Sequence, residues 1–281
     1  MAKHTAAALL VLIASASAVR AHDRWENPIF NSTDDNATTL NFLQHGAVQR
    51  QHDLDAGGGS APDEDWFAVK VTEWHSYEAR VNSGVTYWGQ SCTPAPCPRF
   101  DHVNAAGTVV VAGQIQSDDA WISIDRASSG AQSAGRGMTV RWLPAGTGVE
   151  FVRAKGDGFV NFSDNVFYDV SFRDTTYVAP RWNNSGTQVS ILLLQNTAAN
   201  PAGVQISFFD ATGSHLVMIS YEMPAFGSIV FNTSTVPPLQ GRSGSIKVAH
   251  LGGYGSLSGK VVSLEPATGF TFDTALTPIP Y

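Results

Sequence analysis

The sequence predicts an all-β protein built from two consecutive β-sandwiches, jelly-roll-like over residues 39–174 and immunoglobulin-like over residues 177–281. Three observations predict it. Charged residues make up only 15% of the chain while 26 of its 281 residues are Gly; helix surfaces draw on Lys, Glu and Arg, so this balance suits short strands and many turns. Short alternating or apolar stretches recur with turn residues between them, roughly every 8–12 positions, the spacing of sandwich strands. Finally, residues 168–186 begin as an alternating strand, with Tyr168, Val170 and Phe172 on one face and Asp169, Ser171 and Arg173 on the other. After the polar step Asp174-Thr-Thr176 they restart through Tyr177, Val178 and Trp182. That stretch is read as the last strand of one sandwich running directly into the first strand of the next.

The chain opens with Lys3 and His4, an apolar core over residues 6–14 and then small residues, the layout of a secretory signal peptide over residues 1–21. Cleavage is expected after Ala18 or Ala21. The apolar core is too short for a membrane span, and no later run approaches about twenty apolar residues. The expected location is secreted, periplasmic or cell-surface. A formal net charge of -7 without a dense basic cluster argues against nucleic-acid partners.

Residues 22–38 are polar and irregular, an expected lead-in. Residues 39–45 form a short strand candidate. Residues 52–65 are Gly-rich and acidic, a loop. Residues 65–71 follow as a strand in which Trp66, Ala68 and Lys70 alternate against Phe67, Val69 and Val71. Further strand candidates are residues 77–81, 109–112, 121–124, 138–142, 149–153, 158–162 and 167–172. In an oxidising compartment Cys92 and Cys97, in Cys-Thr-Pro-Ala-Pro-Cys, are expected to form a short-loop disulfide; Cys-x₄-Cys alone offers too few ligands for a structural metal.

The second half reads more cleanly. Its strand candidates are residues 189–195, 203–209, 215–223, 227–231, 244–250 and 258–264, with residues 269–273 as an edge strand. Asp210-Ala-Thr-Gly213 supplies a hairpin turn.

Two resemblances add to this reading. Residues 54–81, with Asp63-Glu-Asp-Trp-Phe67 at their centre and Tyr77-Glu-Ala-Arg-Val81 after them, resemble the bacterial pre-peptidase C-terminal domain over about residues 39–174. The Cys92–Cys97 loop and the stretch 104–137 depart from that family. The resemblance implies a small non-catalytic jelly-roll accessory module, found beside secreted enzymes and sometimes binding calcium. Arg181-Trp-Asn-Asn-Ser-Gly186, Leu194-Gln-Asn196, residues 254–260 and residues 265–273 resemble an uncharacterised C-terminal module of exported bacterial proteins, which implies a second sandwich and no particular activity.

The acidic loop Asp53, Asp55, Asp63, Glu64 and Asp65 is the candidate calcium site, since a Gly-rich backbone lets carbonyls join carboxylates around a cation that takes six to eight oxygens. The alternative is a solvated loop in which Asp63 or Asp65 caps a turn. Trp74, Tyr87 and Trp88, near loop-like segments, are the candidate carbohydrate platform, with core packing as the competing role; Trp66, Trp121, Trp142 and Trp182 lie within strand patterns and belong to cores. A start at His22 would pair an α-amine with an imidazole, as copper-dependent polysaccharide oxygenases do, but none of His45, His52, His75 and His102 stands in a context that completes such a site. Gly-x-Ser-x-Gly and His-Glu-x-x-His are both absent.

The leading functional expectation is an exported, non-catalytic binding or structural module with an extracellular protein or polysaccharide as partner. A calcium-stabilised accessory domain and a carbohydrate-binding protein are the alternatives, and an enzyme comes third. The step Arg173-Asp-Thr-Thr-Tyr177 contains no flexible linker, so the two sandwiches are expected to sit at a fixed angle, with Tyr177, Pro180 and Trp182 at or near the joint.

Overall fold

A computed structural model describes residues 36–52, 64–83, 99–115, 137–155 and 168–280. Its regular structure is strand, with two single 3₁₀ turns and no α-helix among the described residues. None of them forms a helix long and apolar enough to cross a membrane.

The first half contains β1 (Phe42–Leu43), β2 (Val48–His52), β3 (Glu64–Val71), β4 (Tyr77–Ser83), β5 (Arg99–Val103), β6 (Val109–Val111), β7 (Gln114–Ile115), β8 (Met138–Trp142), β9 (Gly148–Lys155) and β10 (Tyr168–Asp174). They make two five-stranded sheets, in the orders β1-β3-β9-β5-β6 and β2-β10-β4-β8-β7. All pairings are antiparallel except that of the short β1 with β3. Alternation decides which side chains meet between the sheets. Phe67, Val69 and Val71 of β3, with Phe100, Val152 and Ala154, pack against Ala79, Val81, Val140, Trp142, Val170 and Phe172. The opposite face of β3 is covered as well: Trp66 is buried under Phe151 and Arg153.

The second half contains β11 (Tyr177–Asn183), β12 (Val189–Asn196), β13 (Ala202–Asp210), β14 (His215–Met223), β15 (Ser228–Asn232), β16 (Ser243–His250), β17 (Leu257–Glu265), β18 (Phe270–Ala275) and β19 (Thr277–Pro278). Here the orders are β14-β13-β16-β11-β19 and β15-β12-β17-β18, and the core comprises Trp182, Leu192, Leu194, Val204, Ile206, Phe208, Ile246, Val248 and Val261, among others. The β13–β14 turn closes as its sequence suggests, with Asp210 Oδ1 accepting from the Thr212 and Ser214 amides at 2.8 and 3.0 Å and Gly213 taking a φ of 85°.

The Trp-Asn-Asn-Ser-Gly stretch has a structural job. Trp182 Nε1 donates to the carbonyls of both Phe209 (3.2 Å) and Ser245 (3.1 Å). Asn184 Oδ1 accepts from the Ser190 amide (3.0 Å) and the Thr233 hydroxyl (2.9 Å), and Ser190 Oγ meets Ser263 Oγ at 3.0 Å. Buried polar atoms need such partners, and this network supplies them at the entry to the second core.

Four strands do not match any candidate: β2 and β5, whose sequences Val-Gln-Arg-Gln-His and Arg-Phe-Asp-His-Val carry too many polar residues to read as half-buried, and the two-residue β7 and β19, too short to show a period. The strand candidates at 121–124 and 158–162 lie outside the described residues, as do the signal peptide, the lead-in through residue 35, His22, and both Cys92 and Cys97.

Candidate functional site

The feature that organises the molecule is the joint between the halves. β10 ends at Asp174 and β11 starts at Tyr177, so Thr175 and Thr176 alone lie between the two strands. These threonines are buried, and a loop residue of the first half, Ser76, is wholly buried against them. The Ser76 carbonyl accepts from the Thr175 amide (2.8 Å), and its own amide donates to Thr176 Oγ1 (2.9 Å). Its hydroxyl accepts from Thr175 Oγ1 (2.8 Å) and from the His250 amide across the joint (3.0 Å). One serine thus holds both linker residues and a strand of the second half.

Around this centre the contacts continue. Asp174 Oδ1 accepts from the Thr176 amide (2.9 Å), while its Oδ2 lies 2.6 Å from His75 Nδ1. On the far side of that ring, Lys247 Nζ of β16 lies 2.8 Å from His75 Nε2. An ammonium can only donate, so Nε2 is the acceptor and Nδ1 carries the proton. His45 is fixed by the same logic: its Nδ1 accepts from the Asp174 amide (2.8 Å), leaving Nε2–H to donate to the Ile279 carbonyl (3.1 Å). The buried Glu78 carboxylate accepts from Arg141 Nε (2.6 Å) and the Tyr254 amide (3.4 Å), and Arg173 lies over the Tyr254 ring at 4.6 Å.

Electrostatics at the joint follow from burial. Burial holds His250 well below the ordinary histidine range, at about 4, with the Arg141 charge acting in the same direction against the Thr175 carbonyl and Asp174. Burial also lowers Lys247, partly offset by Asp174. Tyr77, buried and facing the Asp174 carboxylate, is pushed up to about 12.

Beside the joint lies a groove of about 550 Å³. Leu43, Tyr77 and Phe172 line it, with Phe42, Lys70 and Thr72 from the first half and Ile279 from the second. Phe42, 40% exposed, is its most accessible large apolar side chain. His45 and Asp174 also face it, so the groove runs into the joint.

The sequence-predicted site residues fall differently. Of the proposed calcium ligands, Asp53, Asp55 and Asp63 lie outside the described residues. Asp65 is 3% exposed within β3 and accepts a hydrogen bond from the Tyr168 hydroxyl. Its neighbour Glu64 binds Arg153 and Lys155; burial works against its charge, but hydrogen bonds from Lys155 and Trp66 and the Arg153 charge outweigh it and hold the carboxyl below the usual range. Among the described residues no three His, Cys, Asp or Glu side chains are grouped to hold a metal ion. Of the carbohydrate candidates, Tyr87 and Trp88 lie outside the described residues. Trp74 has a φ of 67° and lays one ring face on His215 of the second half, 3.9 Å away and 9° from parallel.

The joint itself corrects one expectation. Pro180 is exposed on β11 and Trp182 is in the second core. A strand advances about 3.3 Å per residue, so by Trp182 the chain has left the joint; Pro180, which has no amide proton, sits where the β11–β16 register shifts. Tyr177 does lie there, 5.7 Å from the His250 ring. Ser76, His75, Lys247 and His250 were missed, because nothing local marks a loop serine or a strand histidine as facing another sheet.

No family model and no curated protein matches the chain. Among solved structures it is similar to Bacteroides uniformis beta-glucuronidase 2, covalently bound to cyclophellitol-6-carboxylate aziridine, at 8% identity and a TM-score of 0.17, over 78% of this chain and 26% of that one. The chain therefore spans about a quarter of that protein's length, and at this level of likeness neither fold nor activity transfers.

Proposed function

We propose that this chain is an exported, non-catalytic binding module in which two sandwiches act as one body and the groove beside their joint receives the partner. The observation that carries this reading is the buried polar stitching at Ser76, Thr175, Thr176 and His250, which holds the groove's two walls in one geometry. A preformed, mostly apolar recess with a few polar groups is the usual form of a binding site. The favoured partner is a segment of an extracellular protein that inserts an apolar side chain. A polysaccharide fits less well, since Trp74, the described member of the aromatic platform, already has one face covered by His215.

The test is a binding screen against extracellular proteins and polysaccharides, repeated with Thr72→Trp, which fills the groove from an exposed position. Protein binding lost in Thr72→Trp supports the reading. Binding that survives the substitution, binding to polysaccharide alone, or substrate turnover would overturn it. Melting with and without chelator tests the accessory-domain alternative: a drop of several degrees on chelation favours calcium stabilisation.

A further inference from the structure

Six histidines are among the described residues, and four of them meet at the joint: His45 and His75 from the first half, His215 and His250 from the second. We propose that the joint is an acid-sensitive latch, in which protonation of His75 on acidification, followed by His250 once water enters, frees the two sandwiches from each other while both remain folded.

The argument rests on which nitrogens are already used. His75 accepts from the Lys247 ammonium through Nε2 and faces Asp174 through Nδ1. A second proton would turn Nε2 into a donor aimed at another donor, 2.8 Å away, with a positive charge on each. Asp174 can balance one of these charges, but its other oxygen is occupied by the Thr176 amide. The Tyr77 ring on one side and the Phe209 ring beneath Lys247 offer no further anion. The contact that fails is therefore the one spanning the joint, whereas the His75–Asp174 pair within the first half survives.

His250 lies deeper, 1% exposed, with the Arg141 charge, the Thr175 carbonyl, the Asp174 carboxylate and the Tyr177 ring around it. A proton here requires the joint to open and admit water. His45, which shares its groove with Lys70, Tyr77 and Asp174, would lose its bond from the Asp174 amide on taking a proton at Nδ1. His215 opposes release, because a charged imidazole stacks favourably on the Trp74 face. Two of the four residues thus guard contacts across the joint, one guards its linker, and one resists opening.

The experiment is hydrogen exchange of the full chain at pH 7.5 and pH 5.0, with rates corrected for intrinsic pH dependence, and small-angle scattering on the same samples. The expected result at pH 5.0 is at least a tenfold loss of protection at the Thr175, Thr176 and His250 amides, unchanged protection in β3 and β13, and a larger radius of gyration. His75→Gln keeps an acceptor for Lys247 at every pH and should move the transition to lower pH. Lys247→Met removes the cation and should flatten it, an independent check should His75→Gln fold poorly. The latch is overturned if joint and cores lose protection together, if the joint stays protected at pH 5.0, or if both variants follow the wild-type profile.

Discussion

The two cores and the joint between them are held by different physics. Each core is a set of aromatic and aliphatic side chains sorted by strand alternation, and apolar burial of this kind is nearly indifferent to small rotations of one group past another. The joint is small, polar and bonded: Ser76, Thr175, Thr176, His75, Asp174, Lys247 and His250 each meet a named atom at a fixed direction. Burial makes each half fold; hydrogen-bond geometry fixes the angle between them. The joint can then fail without either core failing, which two continuous hydrophobic layers would not allow.

The largest effect should come from a core. Phe208→Ala, at a wholly buried position packed edge-on to Trp182 at 5.6 Å, should cost about 3–5 kcal/mol and lower the urea midpoint of the second half. An equal loss in both halves would mean they fold as one unit.

Acid should come next. His250 has a folded-state value of about 4, below its unfolded value. The unfolded chain therefore binds more protons between these values, and stability falls as pH drops from about 6.5 to 4, by up to about 3 kcal/mol. Urea midpoints at pH 7, 5.5 and 4 should show this slope, and His250→Gln should reduce it. A slope unchanged in the variant would show that His250 does not carry it.

Ser76→Ala should cost about 1–3 kcal/mol, the range for leaving buried partners unsatisfied, here the His250 amide and the Thr175 hydroxyl. The sharper expectation concerns shape: calorimetry should show two transitions drawn further apart, and proteases should reach the 174–180 segment. A uniform fall in both transitions would make Ser76 an ordinary core residue.

The smallest effect should come from the surface. Lys260→Ala breaks a pair with Asp273 at 2.7 Å between two exposed side chains, and the melting curve should not move beyond its error.

Much of the fold was legible. In β3, β10, β12 and β13 the apolar residues alternate or run continuously, which is enough to assign strand and inner face. The absence of a linker between Asp174 and Tyr177 was legible too, and so was a short connection. What sits inside that connection was not. Ser76 follows Trp-His and precedes Tyr, a context in which a serine reads as a solvated turn; its partners, Thr175, Thr176 and His250, stand 99 to 174 residues further on. His52 was hidden for the same reason, since the rings flanking it, Phe67 and Tyr168, come from two other strands. Asp65 was read as a loop ligand because acidic neighbours precede it, whereas the sheet begins one residue earlier, at Glu64, and carries it inside.

The short strand β19 has a consequence in time as well as in space. It pairs with β11, and the next residue, Ile279, donates to the Thr176 carbonyl and accepts from His45, a partner 234 residues away. Contacts of such separation form late, because the loop they close spans 234 residues. During synthesis the first sandwich can assemble long before residue 279 arrives, with its half of the joint open to solvent. Residues 277–279 therefore complete the joint late, and until they do the Thr176 carbonyl and the His45 ring lack their partners from the second half.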